Sequence, residues 1–290
     1  MAALRAPSVA TRQLLVGCDF SSSPSRKKPI VMATGWLHSA NQCVVLERLE
    51  RLESLDAFTF WLSDLQKGSW VGAFDFPFGL PRELVVQLGW PQSWPALIAH
   101  YAGLERSQIR ALFAAFCNAR PVGGKFAHRA TDGLAGSSPS MKWVNPPVAF
   151  MLHAGVPRLL QAGVTLAGLY APPDDGSGLL RLALEGYPGL LAKEILGRTP
   201  YKSDNRAKQT PEKLLARKDL ITLLEQGATR LALRLKTTHA LRDTLVADAS
   251  GDSLDAALCL VQAGWGARLG PPLYGLPNDM DALEGWIVSA

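Results

Sequence analysis

The chain has 290 residues, of which 48% are hydrophobic, and its 30 Lys and Arg against 25 Asp and Glu give a formal charge of +5. This length and apolar content allow a sizeable buried core and exclude an intrinsically disordered chain. No apolar run reaches the roughly 18 residues that a membrane-spanning helix needs. Residues 1–13 lack the apolar core of a signal peptide, so we expect a soluble, cytoplasmic protein.

Three β-prone runs open the predicted sheet. Residues 14–20 form a short apolar run that ends in a carboxylate and is followed by a polar stretch. Two further runs, 29–37 and 42–49, are separated by a turn-like segment at 38–41. We therefore predict a three-stranded meander at the start of the fold.

A helix and a fourth strand follow the predicted meander. Ser54 is a suitable N-cap for an amphipathic run that continues through Gln66. Residues 70–76 form another apolar run, which Pro77 ends. The resulting order β-β-β-α-β is typical of an α/β fold with a mixed sheet.

Residues 82–175 are rich in Trp, Pro and Gly and predict a largely helical insertion or cap after the fourth strand. Short helical patterns lie around 95–117 and 146–162. The segment 119–145 between them is rich in glycine and serine, and we predict an exposed loop there.

The last third of the chain predicts a fifth strand and more helices. The strand covers 179–185, a short helix starts at Pro188, and helical periodicity continues with interruptions from Pro211 to about residue 246. A final apolar helix is predicted from 251–253 to about Trp265, and 284–288 fits a small edge strand. Since no linker divides the chain, we expect a single domain over 1–290.

The spacing of cysteine and histidine argues against a zinc site. The 4 cysteines are scattered without a CxxC pair, and the 5 histidines do not form an HExxH pattern. Neither a disulfide framework nor one of the usual zinc-enzyme sites is predicted.

Basic residues are concentrated in three segments. Residues 1–30 hold five basic and one acidic residue, residues 120–142 four and one, and residues 198–219 seven and three, which together is a net +11. The rest of the chain therefore carries −6. Such asymmetry suits a basic face that binds a polyanion such as nucleic acid, and it equally suits three solvated loops or helix faces.

Five acidic residues stand where a ligand site is expected. Asp19, Asp75 and Glu185 each lie at the end of an apolar strand, which is the edge where α/β sheets bind ligands. Asp252 and Asp255 are three residues apart at the start of the last helix, so both side chains point to one side. A carboxylate inside such apolar runs costs several kcal/mol unless it has a partner.

Carboxylates grouped in this way can hold divalent ions, and an all-oxygen set favours Mg²⁺ or Mn²⁺. Two such ions can activate water and stabilise the leaving oxygen in phosphodiester cleavage. Each acid also has a structural explanation. Asp252 can be an N-cap, Asp255 can complement the helix dipole, and the two strand-end acids Asp75 and Glu185 can stabilise the following turn or helix.

The sequence resembles the domain-of-unknown-function 429 family, whose members are predicted nucleases with a ribonuclease H-like fold. The resemblance extends from about residue 14 to 288 and is carried by VGCDFS, AFDFPFGLP, LEGYPGLLAKEIL, YKSDNRAK, GDSLDAALCLVQA and EGWI. The long insertion at 82–175 departs from the family pattern. The fold class implied is a ribonuclease H-like mixed sheet flanked by helices, with a helical insertion between the fourth and fifth strands.

The resemblance also implies roles for the acids. Asp19 falls on the acid of the first strand, Asp75 on that of the fourth strand, and Asp255 on that of the final helix. These three would bind the metal ions, and either Asp252 or Glu185, which matches the Glu of an E-x-x-P stretch, would complete the catalytic site.

Two basic residues are candidates for binding substrate phosphates. Arg129 lies in the predicted loop 119–145, and Lys202 follows the strand and helix that contain Glu185. In the implied fold both could extend over the acids and hold a nucleic-acid backbone. Arg129 could instead form a local ion pair with Asp132.

The function predicted from these features is a nuclease that depends on Mg²⁺ or Mn²⁺ and acts on nucleic acid. One alternative is a phosphotransferase of the actin and sugar-kinase type, but its glycine-rich phosphate loops are missing here. Another is a non-catalytic scaffold or nucleic-acid-binding protein that keeps the acids as helix caps. Neither the oligomeric state nor the choice between DNA, RNA and a small nucleotide follows from the sequence.

Overall fold

A computed structural model describes residues 13–38, 40 and 42–290. Residues 1–12, which belong to the first basic segment, lie outside the described residues, as do two positions of the predicted turn at 38–41.

A mixed sheet lies at the centre of the protein. Among the described residues it has seven strands in the spatial order β5-β6-β4-β1-β2-β3-β7. They are β1 (Leu14–Asp19), β2 (Ile30–His38), β3 (Cys43–Leu52), β4 (Trp70–Phe74), β5 (Thr165–Leu166), β6 (Arg181–Glu185) and β7 (Arg234–Lys236). Strands β1, β2 and β3 are antiparallel, whereas β4, β6 and β5 continue the sheet on the other side of β1 as parallel strands.

Helices cover both faces of the sheet. They are α1 (Leu55–Ser63), α2 (Arg82–Gln87), α3 (Trp94–Ala102), α4 (Arg106–Asn118), α5 (Ala130–Ala135), α6 (Val148–Gln161), α7 (Pro188–Leu196), α8 (Pro211–Gln226), α9 (His239–Ala247) and α10 (Asp252–Leu269). Helices α1–α4 and α6 pack on one face around an aromatic-rich core, which we call the aromatic layer. Helices α7–α10 pack on the other face, which we call the α10 layer. No helix within the described ranges is long and apolar enough to cross a membrane.

The predicted mixed-sheet α/β class, the meander and the fourth strand are confirmed. Ser54 caps α1 as predicted, since its Oγ accepts a hydrogen bond from the Ala57 amide at 3.0 Å. Helices α7 and α8 begin at Pro188 and Pro211, where proline fits the first helical position because it has no amide hydrogen to satisfy.

Several local predictions are wrong. The segment 119–145 is not simply an exposed loop, because it contains α5 and the buried side chains of Arg129 and Asp132. The interruption of the helical pattern over 211–246 contains a strand, β7, that was not predicted, and α10 continues past Trp265 to Leu269. The segment 284–288 makes one parallel bridge, from Ile287 to β6, and forms no strand.

Strand alternation determines which layer each strand-end acid faces. Strands β1, β4 and β6 are in register, with Cys18 opposite Phe74 and Phe74 opposite Glu185. Cys18 and Phe74 belong to the aromatic layer, so Glu185 points there too. Asp19 and Asp75 each follow one residue later, and their side chains therefore point into the α10 layer.

Helix α10 crosses β1 at very short distance because of Gly17. A Cβ atom at position 17 would lie 2.1 Å from the Ala256 carbonyl oxygen and 2.3 Å from the Leu260 amide nitrogen. Only glycine allows this approach, which brings the first turn of α10 to the end of β1 that carries Asp19.

We therefore expect Gly17→Ala to destabilise the fold by about 2–3 kcal/mol, because the added methyl group forces the buried helix away from the sheet. Gly133, in the exposed part of α5, has no heavy atom near its would-be Cβ. Gly133→Ala should be neutral or stabilising by up to about 1 kcal/mol. Urea unfolding measures both effects, and equal stabilities of the two variants would contradict the proposed close packing.

Candidate functional site

Asp19 and Asp75 lie side by side at one edge of the sheet. Asp19 is the last residue of β1, and Asp75 follows β4 directly. The Asp75 amide donates a hydrogen bond of 2.9 Å to the Cys18 carbonyl, which extends the pairing of the two strands to this point. Neighbouring strands are about 4.8 Å apart. The two partly buried carboxylates are therefore neighbours on the α10 face.

The first turn of α10 supplies two further acids. Asp252 is 4% exposed and Asp255 is completely buried. Both belong to the helix that Gly17 allows to lie against β1. The structure thus brings four of the five predicted acids to one region of the molecule.

The electrostatics of Asp19 reflect this grouping. Burial raises the pKa of the Asp19 carboxyl well above its ordinary value. Three negative neighbours raise this pKa further, in decreasing order Asp255, Asp252 and Asp75, while Lys202 lowers it. Carboxylates that act on one another this strongly share a site.

The pKa of Asp75 is raised as well. Burial is the main cause that raises the pKa of Asp75 to about 7, and the charge of Asp255 raises it further. Lys202 opposes the shift and Glu185 adds to it. Burial likewise raises the pKa of Asp252, with Lys28 acting against it.

Asp255 has two partners from the segment after α7. The Tyr201 hydroxyl donates to one carboxylate oxygen, and the Lys202 ammonium forms an ion pair with the other. Burial by itself lowers the pKa of Lys202, but Asp255, Tyr201 and Asp19 together outweigh it, so this pKa is raised well above its usual value. Lys202 is therefore a cation inside the acid cluster.

Asp252 interacts with Lys28 and does not cap its helix. The Lys28 ammonium lies 3.9 Å from an Asp252 oxygen and 2.8 Å from an Asp204 oxygen. The N-cap of α10 is Gly251, and the Ser253 amide donates to Asp248 at 2.9 Å. The structural alternative for Asp252, an N-cap, is therefore wrong, and its carboxylate faces the cluster and Lys28.

Glu185 belongs to a different network. Its side chain points into the aromatic layer, where it accepts hydrogen bonds from Arg129 at 2.6 and 2.8 Å and from the Phe78 amide at 2.9 Å. Burial raises the pKa of Glu185, and Arg129 counteracts this rise. Glu185 is thus paired with Arg129, and its side chain points away from the α10 layer, although it lines the same cleft as Asp75.

Arg129 uses all of its hydrogen-bond donors in this network. Its five N–H groups go to Asp132, Glu185 and the Glu284 carbonyl, and the side chain is almost fully buried. The ion pair with Asp132 is confirmed at 2.9 Å. Since no donor is left for a phosphate, the predicted phosphate contact of Arg129 is not supported by this structure.

The four acids have the chemistry that a divalent cation requires. All of their donor atoms are oxygens, and their mutual repulsion would be relieved by a bound cation. As placed, however, no three Asp, Glu, His or Cys side chains of the described ranges form a group that could hold a metal ion. The Lys202 ammonium pairs with Asp255 instead. Metal binding there would require the half-exposed Lys202 side chain to move away.

A cleft of about 870 Å³ opens beside these acids. Asp75, Glu185 and Gly186, at the ends of β4 and β6, line it together with Arg129. Its walls come from the start of α6, with Met151, and from α7. Lys202 lines the same cleft, which therefore leads to the ion pair with Asp255. We call it the α6–α7 cleft.

The sequence missed two side chains of this site. Sequence reasoning gives Tyr201 no role, although its hydroxyl contacts Asp255. Lys28 was counted only as part of a basic segment, although it pairs with Asp252. The sequence pattern gives no indication of these contacts, because each joins residues more than 50 positions apart.

The raised pKa of Asp75 predicts a pH-dependent stability. A carboxyl whose pKa is higher in the folded than in the unfolded chain stabilises the fold fully below about pH 4, and this contribution is lost as the pH rises towards 7. In EDTA, Asp75→Asn should therefore gain about 2–4 kcal/mol relative to the wild type between pH 4 and 7.5.

Urea unfolding at several pH values measures this gain. Asp56→Asn is a matched control, because the Asp56 side chain is 95% exposed. Its pH profile should follow that of the wild type. A profile of Asp75→Asn parallel to the wild type would show that Asp75 is not the group responsible.

Comparisons with protein-family models, with curated proteins and with solved structures give no significant match. The resemblance to the domain-of-unknown-function 429 family therefore stays a prediction.

Proposed function

We propose that this protein is a metal-dependent phosphodiesterase of ribonuclease H-like fold that acts on nucleic acid. The observation that carries the proposal is the shared electrostatic environment of Asp19, Asp75, Asp252 and Asp255 at one edge of the sheet. A fold that places four carboxylates together loses stability unless a cation is bound, so such a cluster is expected where a ligand requires it.

The sheet topology supports the fold assignment. An antiparallel meander β1-β2-β3 is followed by two parallel strands, β4 and β6, on the far side of β1, and α10 crosses the strands that carry the acids. This is the arrangement that the family resemblance implies. The short strands β5 and β7 add to the two edges of the sheet.

Asp19, Asp75 and Asp255 would hold Mg²⁺ or Mn²⁺, and Asp252 is better placed than Glu185 to complete the set. Glu185 faces the opposite layer and is neutralised by Arg129. When bound, divalent ions would supply the activation of water and the stabilisation of the leaving oxygen. Tyr201 would orient Asp255 through its hydroxyl hydrogen bond.

Lys202 remains a candidate for phosphate binding. Its side chain is 43% exposed and lines the α6–α7 cleft, so the ammonium can turn from Asp255 towards the cleft when another cation neutralises that carboxylate. A phosphate entering the cleft would then meet a positive charge beside the acids.

A hydrolysis assay tests the proposal. Labelled single-stranded and duplex DNA and RNA should be cleaved with Mn²⁺ or Mg²⁺ and stay intact in EDTA. Absence of cleavage of all four substrates by folded protein at millimolar Mn²⁺ would contradict a nuclease and favour the non-catalytic alternative.

A further inference from the structure

We infer that the α6–α7 cleft binds an unpaired nucleotide of a nucleic-acid strand, so that the substrate is single-stranded at the point of cleavage. This inference rests on the proposed function and names the substrate class of the same site. It follows from the size, depth, lining and charge of the cleft.

The size of the cleft is that of a small-molecule site. Its volume of about 870 Å³ lies within the range of pockets that enclose a compact ligand. The lining is largely apolar and includes Val148 and Met151 of α6 and Pro188 and Ala192 of α7. Such walls suit the faces of a planar base, which is unpaired when it enters a pocket.

The burial of the four acids also favours a substrate that is single-stranded at the point of cleavage. Asp255 has no exposed surface and Asp252 is 4% exposed, while Asp19 and Asp75 are partly buried. The backbone of a duplex lying across the molecular surface would not reach them. A phosphate can reach Asp75 by entering the cleft. In a duplex, the neighbouring base would first have to be extruded, which costs a few kcal/mol, whereas a single strand does not have this cost.

The charges along the cleft complement a nucleotide. Arg198 and Lys202 are exposed cations on its lining. Arg198 makes no hydrogen bond or ion pair with any other described residue, so its guanidinium is available to a phosphate. Lys193, by contrast, already donates to the Gly136 carbonyl and to the Tyr187 hydroxyl. Positive charge on the lining and apolar walls inside match a phosphate and a base.

Fluorescence anisotropy in EDTA at about 50 mM salt, where phosphate contacts are weakly screened, tests this inference without metal or cleavage. The probes are a labelled single-stranded DNA of ten nucleotides and a blunt hairpin of the same composition. We expect the single strand to bind at least tenfold more tightly. Unlabelled dAMP should compete at least tenfold more weakly than the unlabelled strand. Equal competition by dAMP would assign the cleft to free nucleotides and overturn the polymer substrate.

Two variants assign the binding to the cleft. Met151→Trp fills it and should weaken binding of the single strand at least tenfold, whereas Gln161→Trp, at the exposed far end of α6, should bind within twofold of the wild type. Arg198→Ala removes an exposed side chain that has no partner among the described residues and should weaken binding three- to tenfold. This second variant keeps the test valid even if Met151→Trp does not fold.

The outcomes separate this inference from the proposed function. Equal or tighter binding of the hairpin, or wild-type affinity of both Met151→Trp and Arg198→Ala, would overturn the inference even if Mn²⁺-dependent cleavage is observed. Preferential binding of the single strand that Arg198→Ala weakens would support it, even if no cleavage occurs and the proposed function fails.

Discussion

Arg129→Ala should destabilise the protein by about 3–5 kcal/mol, the largest stability loss expected for a single substitution here. The Arg129 guanidinium is the counter-charge of two carboxylates, Asp132 and Glu185, that are 1% and 3% exposed. Removing it leaves two buried acids without a cation. It also removes the hydrogen bond to the Glu284 carbonyl, which ties the C-terminal segment to α5.

Urea unfolding provides the measurement, with Arg242→Ala as the matched control. Arg242 pairs with Glu225 at the surface, where both side chains are about one-third exposed, and its loss should cost at most about 1 kcal/mol. Glu185→Gln should recover part of the stability lost in Arg129→Ala, because it removes one of the orphaned charges. A loss below 1 kcal/mol for Arg129→Ala would contradict a role in holding the fold together.

Asp75→Asn should lower kcat/KM for Mn²⁺-dependent hydrolysis by about 10²–10³-fold, because a bound cation contributes several kcal/mol to stabilising the transition state and this variant loses one of its ligands. Asp75 lines the cleft and belongs to the group of four acids. The variant should remain folded, since a repelling charge has been removed.

Asp204→Asn is the matched control for this loss. Asp204 pairs with Lys28 near the cluster, but its side chain is 66% exposed. The rate of this control should stay within a few-fold of the wild type. A normal rate in Asp75→Asn would remove Asp75 from the catalytic residues.

The strand ends that carry Asp19 and Asp75 could be predicted, because an apolar run that ends in a carboxylate is a signal contained in a few consecutive residues. The separation of Glu185 from them could not be predicted. All five side chains of β6 are buried, so the strand shows no alternation of apolar and polar residues that would reveal its two faces. The register with β4 places Glu185 opposite Phe74, and this pairing determines that the Glu185 side chain points into the aromatic layer.

The role of Arg129 was hidden for a different reason. A basic residue in a segment rich in glycine and serine is typical of an exposed loop, and only Asp132 among its partners is close in sequence. Glu185 and Glu284 lie 56 and 155 positions away. Similarly, β7 has three residues, and its first and last side chains are exposed. Such a short strand leaves no clear strand pattern in the sequence, so the helical periodicity of the flanking residues obscures it.

Binding of Mn²⁺ by the metal-free protein is the most direct test of the acid cluster. A cation that binds only the folded state at 100 times its dissociation constant stabilises it by about 2.7 kcal/mol, so the Tm should rise by roughly 5 °C in millimolar Mn²⁺. In Asp19→Asn and Asp255→Asn this rise should disappear, while Asp19→Asn without metal should be at least as stable as the wild type. A wild-type Tm that does not change across millimolar Mn²⁺ would contradict a metal centre formed by Asp19, Asp75 and Asp255.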